Sequence, residues 1–316
     1  MQYAVKNQCH VKRIEHTGAR RQEEEDARLN SLGRTTDNES RLTNNVTQRG
    51  LIMPPIIVRR SYADTPEGQI HYAMAGQGKP LLLLHQTPRS WDEYREVLPI
   101  LGRKYRAIAM DTIGFGDSYR LKGEATIEAC ARGVIQLMDA LSIRQASIVG
   151  HHTGGVVAVE VAAAYPDRVE KLILSSTPYV DAEDRERRKT RPPIDEVEEK
   201  PDGSHLAELW QSRMPFYPKS RPDLLRRFVL DALKVWDDVE AGHRAVNKYR
   251  MEERVRLIKA PTLVLAGTDD PFSYPRMKPL SEHILGSRTA EIKGGMVPMV
   301  DHMPEEFAVA VMDFLE

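Results

Sequence analysis

The sequence predicts an α/β fold with a mostly parallel central sheet, helices on both of its faces and a helical insertion late in the chain. Three observations carry this reading. From Pro54 onward, short apolar segments alternate with stretches of helical periodicity, which is the pattern of a sheet covered on both sides. Ala146 to His151 (ASIVGH) reads as a buried strand that runs almost directly into Thr153 to Tyr165 (TGGVVAVEVAAAY), a buried, alanine-rich helix stopped by Pro166. A chain of 316 residues is long enough to bury the core of such a fold and to carry one insertion.

In chain order, Ile56 to Arg60 and Gln69 to Ala75 are expected to open the sheet as an antiparallel pair. Leu81 to His85, Tyr105 to Asp111, Ala146 to His151 and Lys171 to Ser176 supply buried strands, and Pro261 to Gly267 and Arg288 to Ile292 resume them after an interruption. Asp92 to Leu101 and Ala125 to Leu141 read as crossover helices; in the second, Ile127, Val134, Met138 and Leu141 fall on one face. The chain closes with Pro304 to Leu315, where Phe307, Val311, Phe314 and Leu315 form a helix-spaced stripe. Residues 53–177 and 260–316 thus form the core. The interruption, residues 178–259, opens on charge (DAEDRERRKTR) and passes Pro192, Pro193 and Pro201. It then carries Leu206, Leu209, Trp210, Met214, Leu224, Phe228 and Trp236 at helical spacing. It is expected to form a helical cap over the top of the sheet, where most of its apolar residues make the cap's own core and some of its aromatics contact substrate.

Residues 1–52 differ in texture. Arg20 to Gly50 is dense in Arg, Glu, Asp, Asn and Thr, so it cannot bury enough apolar area to offset roughly 1 to 2 kcal/mol of backbone entropy per residue, and a disordered tail is expected. Glu23, Glu24, Glu25 and Asp26 argue against a mitochondrial presequence. Met53 is read as a natural start, or the tail before it as dispensable. The 45 basic residues nearly cancel the 46 acidic ones, which points away from nucleic-acid and acidic-membrane partners and toward a small-molecule substrate. Two cysteines cannot build a disulfide framework, and a reducing, cytoplasmic setting is expected. No apolar run is long enough to span a bilayer.

The most informative local feature is the turn after ASIVGH. A side chain at the apex of so tight a strand-to-helix bend needs neighbours without a Cβ, and Gly150, Gly154 and Gly155 surround His152 in that way. Four further motifs follow strands in a fixed order. They are His85-Gln86-Thr87-Pro88, the run from Asp111 to Ser118 (DTIGFGDS), the run from Gly267 to Phe272 (GTDDPF), and the run from Gly294 to Pro298 (GGMVP). Jointly and in this order, they resemble the α/β-hydrolase superfamily in its capped branch, which includes esterases, epoxide hydrolases, haloalkane dehalogenases and C–C bond hydrolases. The resemblance spans about residue 56 to 316.

That resemblance implies an α/β-hydrolase fold and assigns places. Gly150 and Gly154 frame the position of the nucleophile in the G-x-S-x-G pattern, and His152 occupies it. Asp270 takes the usual acid position, with Asp269 as a near alternative. The backbone N–H groups of Thr153 and Thr87 would bind an oxyanion, and Gln86 stands where glycine is usual and would present an amide to the substrate. Met296 stands where the catalytic histidine is usual, so both the serine and its base are missing from their expected places.

A histidine at the apex reaches further than serine, so its ring can meet Asp270 directly while Met296 fills the remaining volume. In such a His152–Asp270 dyad, His152 acts as general base or as nucleophile. Arg89 either holds a substrate carboxylate or lies on the surface, and Trp210 favours a partly apolar substrate. His85 and His151 are read as structural, His302 as pointing away, and a zinc site built from His85, His151 and His152 as disfavoured; no metal and no cofactor is expected. The activity implied is hydrolysis of an ester, a lactone or a C–C bond. The alternatives are a lyase on the same fold and a catalytically inactive ligand-binding protein.

Overall fold

The computed structural model describes residues 55–316, so the expected tail and the reading of Met53 lie outside the described residues. One eight-stranded sheet is built from β1 (Arg59–Thr65), β2 (Gly68–Ala75), β3 (Pro80–Leu84), β4 (Arg106–Met110), β5 (Ala146–His151), β6 (Val169–Ser175), β7 (Thr262–Gly267) and β8 (Arg288–Ile292). Their order across the sheet is β1-β2-β4-β3-β5-β6-β7-β8. β2 is antiparallel to both β1 and β4, and all later neighbours are parallel.

The central strands are apolar along their whole length because helices cover both faces. Successive side chains point to opposite sides, so Leu82, Leu84 and Ile148 pack beneath the helices Ile127–Ala140 and Thr153–Ala164. Leu81, Leu83 and Val149 pack against Val97–Leu101 and Pro304–Leu315 on the other face. Thr126 caps the first of these helices by accepting the Ala129 N–H at 3.1 Å, and Pro304 opens the last one, where a missing N–H costs nothing.

Two elements differ from expectation. The opening strand is Arg59–Thr65 rather than Ile56 to Arg60, because its pairing with Gly68–Met74 sets the register while Ile56 and Val58 pack on the core without joining the ladder. Its residues are mostly exposed, so hydropathy does not mark it. The expected helix Asp92 to Leu101 is instead a single turn, Trp91–Tyr94, followed by Val97–Leu101. A helix begun at Asp92 would carry Pro99 in its interior, where a backbone hydrogen bond would be lost; begun at Val97, it places Pro99 in the first turn.

Between β6 and β7 lie the helices Ala182–Arg188, Ser204–Arg213, Pro222–Lys234, Ala241–Lys248 and Met251–Arg254. Leu209, Leu224, Leu225 and Phe228 make a separate small core there, whereas Val246, Tyr249 and Met251 pack into the main one. Among the described residues no helix is long and apolar enough to cross a membrane.

Candidate active site

The site begins at the end of β5. A Cβ on Gly150 would strike the Gly154 carbonyl, and one on Gly154 would strike the carbonyls of Leu84 and His85, so only glycines let the helix Thr153–Ala164 start this close to β3 and β5. His152 sits at the bend with φ +46°, a conformation that costs a non-glycine residue roughly 1 to 3 kcal/mol. Its N–H donates to the Ser175 carbonyl at 3.0 Å, and its own carbonyl accepts from Gly155 at 2.9 Å, which holds the bend. The chain leaves β3 for β4 on one side and enters β5 on the other, and the carboxyl ends of β3 and β5 therefore border a crevice at this switch of direction.

Asp270 follows β7 and is fully buried. Its Oδ1 accepts the N–H groups of Phe272 at 3.0 Å and Ser273 at 3.1 Å, and its Oδ2 lies 2.9 Å from Nε2 of His152. The approach is close but bent away from the ring N–H direction, and neither atom has another partner among the described residues. Burial pushes the Asp270 carboxyl up, yet the His152 imidazole and the two backbone donors outweigh it and hold the group down at about 2. The Ser273 hydroxyl stands 3.4 Å from Nδ1, which is an acceptor when Nε2 carries the ring proton toward the carboxylate.

His152, Thr153, Ser273, Thr87 and Gln86 line a cavity of about 520 Å³, together with Arg188, Val246 and Asn247 from the segment between β6 and β7. Gly242 rests against Thr87, which brings that segment onto the loop after β3. The backbone N–H groups of Thr87 and Thr153 make no hydrogen bond among the described residues.

Of the residues expected at a substrate, Arg89, Trp210 and Met296 lie outside the cavity lining. Gln86 lines the cavity as expected, with one amide N–H donating to Oε1 of Glu93 at 2.6 Å and its backbone N–H to Oε2 at 2.9 Å. Arg89 is neither on the surface nor at the cavity; it is fully buried, with Nε 2.9 Å from Asp231 and Nη1 2.5 Å from Asp301. Trp210 packs beside Leu209 and Phe228 because its helical position faces the small core between β6 and β7. Met296 is half-buried beside the cavity-lining Val297, whose carbonyl is drawn inward by the Nε2–H of His151 at 3.0 Å.

His85 is buried, donating from Nδ1 to the Gln86 carbonyl at 2.8 Å and accepting the Thr112 N–H at Nε2. His302 lies on the short helix Met299–His302, outside the cavity lining. Among the described residues, two clusters gather three metal-competent groups, His71–Asp111–Asp117 and Asp195–Glu240–His243. In the first, Asp111 accepts from His71, Trp91 and Asp117; in the second, Arg213 grips both oxygens of Asp195, and a guanidinium beside a cation is unfavourable.

Sequence reasoning missed Ser273, while His151 has the structural role expected of it. Ser273 is legible only as a hydroxyl three residues beyond Asp270, and its meeting with the ring depends on the fold. His151, edge-on to the His152 ring at 4.7 Å, accepts from the Ser175 hydroxyl at Nδ1. Burial, followed by the charge of His152, lowers its pKa to about 3. Its unfolded value is about 6.5, so between those values the unfolded chain binds the extra proton and stability must fall as pH drops. We expect the melting temperature to decline from about pH 6.5 downward, with a shallower decline in His151→Gln. Melting curves across this range that show identical slopes for both proteins would rule the assignment out.

Residues 79–239 match the family model for the alpha/beta hydrolase fold. The chain belongs to the α/β-hydrolase family. A soluble epoxide hydrolase of Corynebacterium sp. is 38% identical over 106 residues, which is 34% of this α/β-hydrolase chain and 37% of that protein. Bifunctional epoxide hydrolase 2 of Mus musculus is 32% identical over 130 residues, 40% of this chain and 24% of the relative. Haloalkane dehalogenase 2 of Mycobacterium bovis is 34% identical over 115 residues, 36% of this chain and 40% of the relative. The chain thus spans well under half the length of these curated relatives. Among solved structures, the enol-lactonase from Burkholderia xenovorans superposes with a TM-score of 0.68 at 23% identity, over 81% of this chain and 99% of that one. The meta-cleavage product hydrolase from Pseudomonas fluorescens gives 0.64 at 19%, over 81% and 97%. These two share the fold.

Proposed function

We propose that the protein hydrolyses an ester, lactone or C–C bond in a small, partly apolar molecule, with His152 as general base and Asp270 holding it. In this reading His152 occupies the apex that serine takes in the G-x-S-x-G pattern, Met296 replaces the usual catalytic histidine, and residues 178–259 act as a cap that keeps water from the site. The observation that carries it is the imidazole itself: it lines the cavity with Nε2 2.9 Å from a buried carboxylate, and with the ring proton on Nε2 the other nitrogen is free to act as base.

The chemistry follows from that placement. Nδ1 removes a proton from water, the water oxygen attacks the carbonyl, and the imidazolium formed is stabilised by Asp270. The oxyanion falls to the N–H groups of Thr153 and Thr87, which have no other partner among the described residues. On collapse, the proton on His152 passes to the leaving alkoxide or carbanion. Relatives that carry epoxide-hydrolase and dehalogenase names add support for a small-molecule hydrolase.

The test is a screen of esters, lactones and β-diketones with the wild type and His152→Ala side by side. Turnover in the wild type and a loss of roughly 10²- to 10⁴-fold in the variant are expected. Equal rates would remove His152 from the mechanism, and activity in neither would favour the ligand-binding alternative. A second reading, with Ser273 as nucleophile, rests on the 3.4 Å between its hydroxyl and Nδ1. With water as the nucleophile, Ser273→Ala should keep activity within about tenfold, and a fluorophosphonate should leave Ser273 unlabelled. Labelling at Ser273 together with lost activity would make it the nucleophile.

A further inference from the structure

Arg188, the last residue of the helix Ala182–Arg188, lines the same cavity as His152. Its Nη1 donates to Oδ1 of Asn247 at 3.1 Å, but its Nε is buried with no partner among the described residues. The carboxylate one helical turn earlier, Asp184, forms no ion pair with it: Oδ1 takes Arg187 and also Nη2 of Arg276 at 2.9 Å, and Oδ2 has no hydrogen-bond partner among the described residues. Arg191 lines the same wall, and neither it nor Arg188 forms an ion pair among the described residues. Burial and the positive charges of Arg191, Arg276 and Arg187 lower the pKa of Arg188, although Asp184 opposes the shift. A guanidinium that stays charged here is short of a counter-anion.

We propose that this wall is a carboxylate-binding subsite, and that the molecule taken into the cavity is an organic acid whose carboxylate meets the Nε and Nη2 edge of Arg188. The shape of that edge decides between anions. Asn247 occupies Nη1, so what remains is a pair of parallel N–H groups, the fork that matches the two oxygens of one carboxylate. Val246, Val297 and Phe272 supply apolar lining for the carbon skeleton between the acid group and His152, in a cavity whose wall also holds Glu196 and Glu240. This inference rests on the hydrolase reading only in assigning the opposite end of the molecule to His152, and binding can be measured without turnover.

The experiment is calorimetric titration with 4-phenylbutyrate and with its neutral amide, in the wild type, Arg188→Gln and Arg188→Lys. The carboxylate is expected to bind the wild type at least tenfold more tightly than the amide. Arg188→Gln should lose that preference, and Arg188→Lys should regain only part of it, because an ammonium cannot offer two parallel donors. Equal binding of acid and amide to the wild type, binding of neither, or an undiminished preference in Arg188→Gln overturns the subsite; the wild-type comparison decides even if a variant fails to fold. Repeating the titration in His152→Ala separates the two readings. A carboxylate preference without turnover in the wild type leaves the subsite and removes the hydrolase, whereas turnover of neutral esters without that preference does the reverse.

Discussion

Asp270→Asn is expected to lower the turnover of any substrate found by roughly 10²- to 10⁴-fold while leaving the fold intact. The reason lies in how the side chain is oriented. Oδ1 of Asp270 accepts from the backbone N–H groups of Phe272 and Ser273, and an asparagine oxygen can keep both bonds. Its NH₂ group then faces Nε2 of His152 in place of Oδ2, and a donor there requires Nε2 to become the acceptor. The proton moves to Nδ1, which is the nitrogen needed as base. Asp270→Asn should therefore lose about as much activity as His152→Ala, and the double variant little more, because the two act as one unit. Steady-state rates for the three variants, with melting temperatures as the folding control, are the measurement. Additive losses would mean that Asp270 and His152 work separately.

Arg89→Ala is expected to destabilise the fold by about 3 to 5 kcal/mol, since it strands buried carboxylates without their cation. Arg89 joins three parts of the chain. It lies on the loop after β3, pairs with Asp231 of the helix Pro222–Lys234, and pairs with Asp301 of Met299–His302. Ser90 donates to the other oxygen of Asp231 at 2.8 Å, and Arg227 adds pairs to Asp92, Glu96 and Asp301. Burial already raises the Asp301 carboxyl against the pull of Arg89 and Arg227. Without Arg89 it rises further, so the folded variant binds more protons than its unfolded chain and loses stability as pH increases. Urea unfolding should show the deficit larger at pH 8 than at pH 5. A deficit under about 1 kcal/mol at both would mean that Arg227 alone satisfies the network.

Much of the fold was legible because its signals are local. The strand Ala146–His151 and the helix Pro304–Leu315 end where their apolar runs meet Gly, Pro or polar residues. Asp92 to Leu101 was misread as one helix because its polar residues serve distant partners: Asp92 and Glu96 both receive Arg227, and Glu93 receives Gln86. At the candidate site, the crowding of glycines around His152 is written in the chain, since a tight bend excludes a Cβ whatever surrounds it.

The sequence by itself determined the α/β architecture, the order of its strands along the chain and the residue at the apex of the bend, because periodicity, chain breakers and backbone sterics act over a few residues. Only the tertiary structure decided which side chains share a space. It buried Arg89 among acids, turned the amide of Gln86 to Glu93, set Val297 rather than Met296 at the cavity, and brought Ser273 to Nδ1 of His152. Those outcomes depend on charge pairing and packing between segments up to 212 residues apart, such as Arg89 and Asp301, and no local pattern encodes a distance of that kind.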